Sequence, residues 1–289
     1  MKYLVLFLLT MTLFSCNESI LIDPNEPQLI FKFKFDPTQE RLDGFGNPST
    51  IPDGNAGQSP MFNSISAHYI ELAPDSTTLL GLGEILYKSA ETNAGGATAI
   101  DFAKSVVVAE GEVFYSVPLS SIPAGTYDWL RVSLAYQNYD ILLDATVNNI
   151  DFENIKATAA SFIGYNTYIS KYKVKDETIS VNANKLQGYV GVETPYTLNE
   201  FQAPEGATTV PNPIFNTSPI EPGSCVVTGA FDNGLTITGK ETEDIVITMS
   251  LSTNKSFEWK DDNGNGKYEP LLNEQVVDMG IRGLIPFIE

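Results

Sequence analysis

Alternation of apolar and polar positions with a period of two runs through most of this chain. Phe31, Phe33 and Phe35 fall on one side of an extended segment and Lys32 and Lys34 on the other, the pattern of a half-buried β-strand. Ile245, Ile247, Met249 and Leu251 alternate in the same way with Val246, Thr248 and Ser250. Between them the pattern predicts strands at 65–72, 106–108, 113–119 and 127–134, then at 162–174, 178–192 and 235–238. Lys171, Lys173 and Lys175 alternate with Tyr172 and Val174 and mark the wet face of one of these. Pro123-Ala124-Gly125-Thr126 reads as a turn, and Asp232-Asn233-Gly234 between two strand-like runs reads as a hairpin. Loops are expected at 43–60, rich in Gly, Pro and Asn, and at the Pro-rich break 204–222. Helix signals are few, with two turns at most over 99–107. The expected fold is all-β: an antiparallel β-sandwich, Ig-like or jelly-roll-like, with short helices only. It occupies residues 29–289, with an elaboration at 157–222.

The N-terminus follows different rules. Lys2 precedes an apolar run from Tyr3 to Leu13, shorter than the about 20 residues a spanning helix needs. Leu13-Phe14-Ser15-Cys16 then resembles the bacterial lipobox, with a small residue before the acceptor cysteine. Residues 1–15 are thus read as a lipoprotein signal peptide. Cys16 is read as the lipidation site, carrying diacylglycerol on its thiol and a further chain such as palmitate on its amine. Residues 16–28, including Asp23-Pro24-Asn25-Glu26-Pro27, form a tether. The expected attachment to membrane is this lipid. Asn17 in place of aspartate favours the outer membrane of a Gram-negative cell envelope, on its periplasmic face or the cell surface.

Charge narrows the partners. The 289 residues hold 17 Lys and Arg against 36 Asp and Glu, for a net charge of -19. Nucleic acid needs a clustered basic surface and is excluded as a partner. With Cys16 lipidated, Cys225 is left alone and reads as a buried, inert thiol.

Familiar catalytic patterns are missing. A single histidine, His68, removes any site built on two imidazoles. In His68-Tyr69-Ile70-Glu71 the His and Glu point to opposite faces of a strand and are poor co-ligands. Gly81-Leu82-Gly83 lacks the third glycine of a dinucleotide fingerprint, and Gly264-Asn265-Gly266-Lys267-Tyr268 fails as a phosphate loop. No nucleophile elbow occurs. The chain is therefore read as non-enzymatic. A hydrolase acting on glycan or peptide remains an alternative, and would need carboxylates converging in a pocket.

One loop carries chemistry. In Asp261-Asp262-Asn263-Gly264-Asn265-Gly266-Lys267-Tyr268-Glu269, Asp261, Asn263 and Asn265 alternate around a tight turn. Lys267 offers its backbone carbonyl and Glu269 a closing carboxylate, an oxygen set suited to Ca²⁺. The loop resembles those of EF-hands and dockerins, but the twelfth position is Leu272 and the flanks are strand-like. A structural calcium loop joining strands is expected; a metal-free turn is the alternative.

Several landmarks together resemble the MbnP-like domain of exported bacterial proteins, in the style of Bacteroidetes lipoproteins. They are Phe31 to Phe35, His68 to Leu72, Ile122-Pro123-Ala124-Gly125-Thr126-Tyr127-Asp128-Trp129 running into Arg131-Val132, and Ile245 to Leu251. The resemblance covers 29–145 and 225–289. It implies an exported β-domain. It also implies copper binding, as in some members, through His68 with Trp129 or Trp259, although one histidine is a poor ligand supply for copper. The leading expectation is a noncatalytic, lipid-tethered binding module for a protein or glycan partner, with Tyr136 and Tyr139 as candidate exposed aromatics, half-buried sheet residues being the alternative.

Overall fold

The computed structural model describes residues 26–43, 46–203 and 225–289. The signal segment 1–15, Cys16, most of the tether and the Pro-rich break lie outside the described residues.

β1 (Gln28–Asp36) buries Leu29, Phe31, Phe33 and Phe35 on one face. It pairs antiparallel with β7 (Val113–Pro118) and parallel with β15 (Ile245–Ser252), and β18 (Leu284–Ile288) follows beside β15. Against this sheet packs a seven-stranded one. Its order is β13 (Leu198–Gln202), β12 (Tyr189–Glu193), β9 (Ile150–Phe162), β8 (Gly125–Val147), β3 (Met61–Ala73) and β4 (Glu84–Lys88), with β14 (Cys225–Ile237) also paired to β8. Phe31, Phe33, Ile247 and Met249 from the first sheet meet Ile70, Leu72, Val132 and Leu134 from the second in the main core. Helical structure among the described residues is limited to single 3-10 turns at Phe102–Lys104, Leu119–Ser121 and Pro270–Leu272. The all-β, mainly antiparallel sandwich is therefore the observed architecture.

β8 is the spine of the molecule. Its first half sits over the main core, and its second half carries two further layers. One is the sheet β11 (Thr178–Leu186), β10 (Asn166–Lys173), β6 (Ala99–Asp101) and β5 (Glu91–Thr92); the other is β17 (Val276–Met279), β16 (Phe257–Lys260) and β2 (Asn55–Gln58). What lets one strand serve several cores is a bulge. Ser66 and Ala67 of β3 pair with Tyr136 and Leu134, leaving Ala135 as an extra residue in β8. An extra residue reverses which parity faces inward. Before it Leu130, Val132 and Leu134 enter the main core. Beyond it Tyr139, Ile141 and Leu143 face β16 and β17, and Tyr136 turns toward the β10 layer. The ring series Phe35, Phe62 and Tyr139 joins the two cores at 4.9 and 5.2 Å.

Five local expectations change. The 106–108 run forms no strand, only a bridge from Val108 to Ile65, and the 43–60 loop contains β2. Asp232-Asn233-Gly234 does not reverse the chain: β14 runs through it and rejoins the same partner, Ala230 pairing with Trp129 and Leu235 with Tyr127. The turn residues loop out, with Gly234 at φ +69°. Burial of Phe231, Leu235 and Ile237 in one core holds both flanks to the same strand. The 162–174 and 178–192 runs are each cut in two, at 163–165 and at 187–188. The 99–107 run yields three strand residues and one 3-10 turn. The described part of the 157–222 elaboration includes β12 and β13, which widen the main sheet through β9.

Candidate functional site

Beyond the bulge, β16 and β17 cover only part of the face presented by β8, β9, β12 and β13. The uncovered remainder is a cavity of about 530 Å³. Ile141, Leu143, Ala145 and Val147 of β8 and Phe152, Ile155 and Ala159 of β9 form one wall. Val192, Thr194, Tyr196, Thr197, Asn199 and Phe201 form a second, around the β12–β13 turn. Phe257, Tyr268, Pro270, Leu271, Val276 and Met279 close the third side. Among the described residues that line it, none is Asp, Glu, Lys, Arg or His. The alanines at 145 and 159 hollow the β8–β9 wall, where larger side chains would fill the space. At the rim Tyr196 (71% exposed) and Leu271 (60%) stand in solvent. The hydroxyl of Thr194 accepts the backbone N–H groups of Tyr196 and Thr197 and fixes the turn between β12 and β13.

The third side belongs to the acidic turn, which joins β16 to β17 as the strand-like flanks imply. Asp261 accepts the N–H of Asn265 (3.1 Å) and of Gly266 (2.9 Å). The amides of Asn263 and Asn265 both donate to Glu269 Oε2, at 2.8 and 2.6 Å. Lys267 reaches away, to Asp144 of β8 and Glu153 of β9, each at 2.8 Å. The two carboxylates hold its ammonium pKa above the usual lysine value. Asp144 also donates its N–H to the Tyr268 carbonyl (2.8 Å), docking the turn on β8. Tyr268 then inserts between Phe257 and Trp259, at 5.1 and 5.5 Å. The sequence reading missed Glu274, which lies two residues past the twelfth loop position. It is 5% exposed, and its Oε2 accepts the Glu269 N–H at 2.6 Å. Its Oε1 is buried without a partner. Burial raises its pKa, and Asp261, Glu269 and Asp262 raise it further. Among the described residues, no three His, Cys, Asp or Glu side chains are gathered tightly enough to hold a metal by themselves.

The copper candidates lie in different places. His68 is the extra residue of a bulge in β3, fully buried, packed on Tyr165 at 5.3 Å. Burial lowers its pKa to about 4 against the opposing pull of Glu91. The neutral ring therefore carries its proton on Nε2 and donates to Glu91 Oε1 at 3.0 Å. Glu71 points elsewhere, accepting the N–H groups of Gly81 (3.0 Å) and Gly83 (2.6 Å), as its spacing from His68 implied. Trp129 pairs with Ala73, five positions along β3 and so about 16 Å away. Trp259 is buried with Phe257 and Tyr268. Tyr136 and Tyr139, expected at the surface, are 5% and 0% exposed. The bulge turns each into a core layer, so neither offers a binding face. Cys225 is buried as expected, and burial pushes its thiol up to about 12.

No protein-family model, curated protein or solved structure matches the chain.

Proposed function

We propose that this protein is a lipid-anchored binding protein of the bacterial cell envelope whose cavity takes a neutral, hydrocarbon-rich small molecule of the fatty-acyl class. The cavity carries the reading. Its volume lies within the about 300–1,000 Å³ of ligand sites, and its lining offers apolar surface with no fixed charge. A glycan would need a dense set of polar partners, and hydrolysis would need carboxylates in the lining; neither fits this wall. The MbnP-like landmarks and the lipobox support an exported domain tethered through Cys16.

The test is a fluorescence titration of the purified protein with N-phenyl-1-naphthylamine, displaced by a long-chain fatty alcohol. Saturable binding is expected. Phe152→Asp, on the cavity wall, should weaken it about tenfold or more, because it removes apolar contact worth about 1.5–3 kcal/mol. Leu82→Asp, at an exposed site outside the lining, should leave it unchanged. No saturable binding, or equal binding in both variants, overturns the reading. The anchor is checked separately by mass spectrometry of the mature protein, where Cys16 should be the first residue and carry lipid. An unmodified Cys16 rejects the tether and leaves the cavity assignment standing.

A further inference from the structure

We infer that the cavity measures the length of an acyl chain, which enters tail-first between the hairpin tips and ends at Ala159, the residue that sets the longest chain accepted. This rests on the cavity being the ligand site and specifies which ligands it takes.

The shape of the cavity carries the inference. Ile141, Leu143, Ala145 and Val147 of β8 all line it. They lie two residues apart along one strand, so this wall runs for about 20 Å at about 3.4 Å per residue. From β8 through β9 and β12 to β13 the sheet spans three strand spacings, about 14 Å. The long axis of the cavity thus follows β8.

Its two ends differ. Exposure along β8 rises from 4% at Ile141 to 46% at Val147, and along β9 from 1% at Ala159 to 36% at Phe152. At the shut end Ala159 pairs with Tyr139, whose ring lies 6.3 Å from that of Phe257. Phe257 in turn pairs with Met279, and both are buried. At the open end the ring of Tyr196 lies 6.1 Å from that of Phe152, and Leu271 stands exposed opposite them. A chain laid along β8 therefore buries its apolar end at Ala159 and leaves an uncharged head in water near Tyr196. A zigzag of about 1.5 Å carbon–carbon bonds advances about 1.25 Å per carbon, so the wall takes about 16 carbons.

Ala159 is where side-chain volume decides that length. Its neighbours across the sheet are Tyr139 in β8 and Val192 in β12. It is a small residue between larger ones, and the space it leaves is the last that the chain reaches. Ala145 pairs instead with Phe152, toward the mouth, so a chain of any length passes it.

Displacement of N-phenyl-1-naphthylamine from the purified protein by a series of straight-chain 1-alkanols tests this. In the wild type each added carbon should tighten binding about three- to fourfold, the worth of one buried CH₂, with a plateau near about 16 carbons. Ala159→Leu should leave decanol unchanged and bring the plateau about two to three carbons earlier, since its added branch fills the shut end. Ala145→Leu should weaken every alkanol alike. Should Ala159→Leu fail to fold, Ala159→Val moves the plateau the same way by a smaller step. Absence of saturable probe binding in the wild type overturns the cavity reading itself. Probe binding with an unmoved plateau in the folded Ala159 variant overturns the length measurement and leaves the cavity reading standing. A loss shared by all chain lengths in that variant makes Ala159 a structural residue only and overturns it equally. Exchange of the two patterns between Ala159→Leu and Ala145→Leu overturns the direction of entry.

Discussion

Replacing Glu258 with alanine is expected to cost about 3–5 kcal/mol, the penalty for leaving buried charge uncompensated. Glu258 is 1% exposed and accepts from the guanidinium groups of both Arg41 and Arg282, the latter at 3.0 Å. Arg282 also pairs with Asp278. Two cations thus face two carboxylates, and the group is neutral only as a set. Arg41 additionally donates to the carbonyls of Asn254 (2.8 Å) and Lys255 (2.6 Å), so it cannot withdraw into water without breaking those bonds. Glu258→Gln keeps the shape and an acceptor and should cost less than Glu258→Ala. Urea unfolding measures both; a loss under about 1 kcal/mol for alanine, the scale of a surface pair, would show that the network is solvated.

The same network has a pH signature. Burial pushes the Asp278 carboxyl up from 3.8 to about 7, against the pull of Arg282 and with a contribution from Glu258. A raised carboxyl pKa means that the folded state holds its proton more tightly than the unfolded chain. Its contribution to stability is fully present below 3.8 and is lost as pH rises through about 7. Asp278→Asn should flatten stability across that window. In Glu258→Ala the midpoint should move down, because a negative neighbour has gone. A midpoint that stays in place after Glu258 is removed would sink the coupling.

Phe162→Ala is expected to cost a further about 3–5 kcal/mol by leaving a cavity where four rings converge. Phe162 is fully buried at the end of β9. Its ring lies 4.9 Å from Phe102, 5.1 Å from Tyr136, 5.0 Å from Tyr172 and 5.9 Å from Tyr189. These rings join the widened main sheet to the β10–β11 layer. Close approach is enforced at Gly191 of β12, where an added Cβ would stand 2.3 Å from the Tyr172 hydroxyl. Phe152→Ala, a more exposed change at the cavity, should cost far less. Equal losses for the two phenylalanines would mean that the β10–β11 layer does not depend on this cluster.

Alternation by itself determined β1 and β15, because apolar side chains recur at every second position of each, burying Phe31 and Phe33 and Ile247, Met249 and Leu251, and period two is visible without knowing the partner. It also determined the all-β class. The acidic turn was legible as a loop between strands, since its Asp, Asn and Gly spacing is contiguous. Glu274 was not: the 3-10 turn at Pro270–Leu272 carries it back to the loop, and spacing alone does not reveal that return. The signal available was an acid immediately before the next strand-like run. Asn233-Gly234 misled because a turn-forming pair states only that the chain bends; the neighbours decide whether it reverses, and here both flanks bury in one core. Tyr136 and Tyr139 were misread for a related reason. One extra residue, Ala135, exchanges the faces of everything beyond it in β8, and a bulge is set by how two strands pair. The cavity was invisible for the strongest reason of all. Its walls come from 141–159, 192–201 and 257–279, and the space between them exists because β16 and β17 are too short to cover the sheet they pack on. Side-chain alternation records which residues leave water, but an empty volume depends on the relative extent of two packed layers, which only the tertiary structure decides.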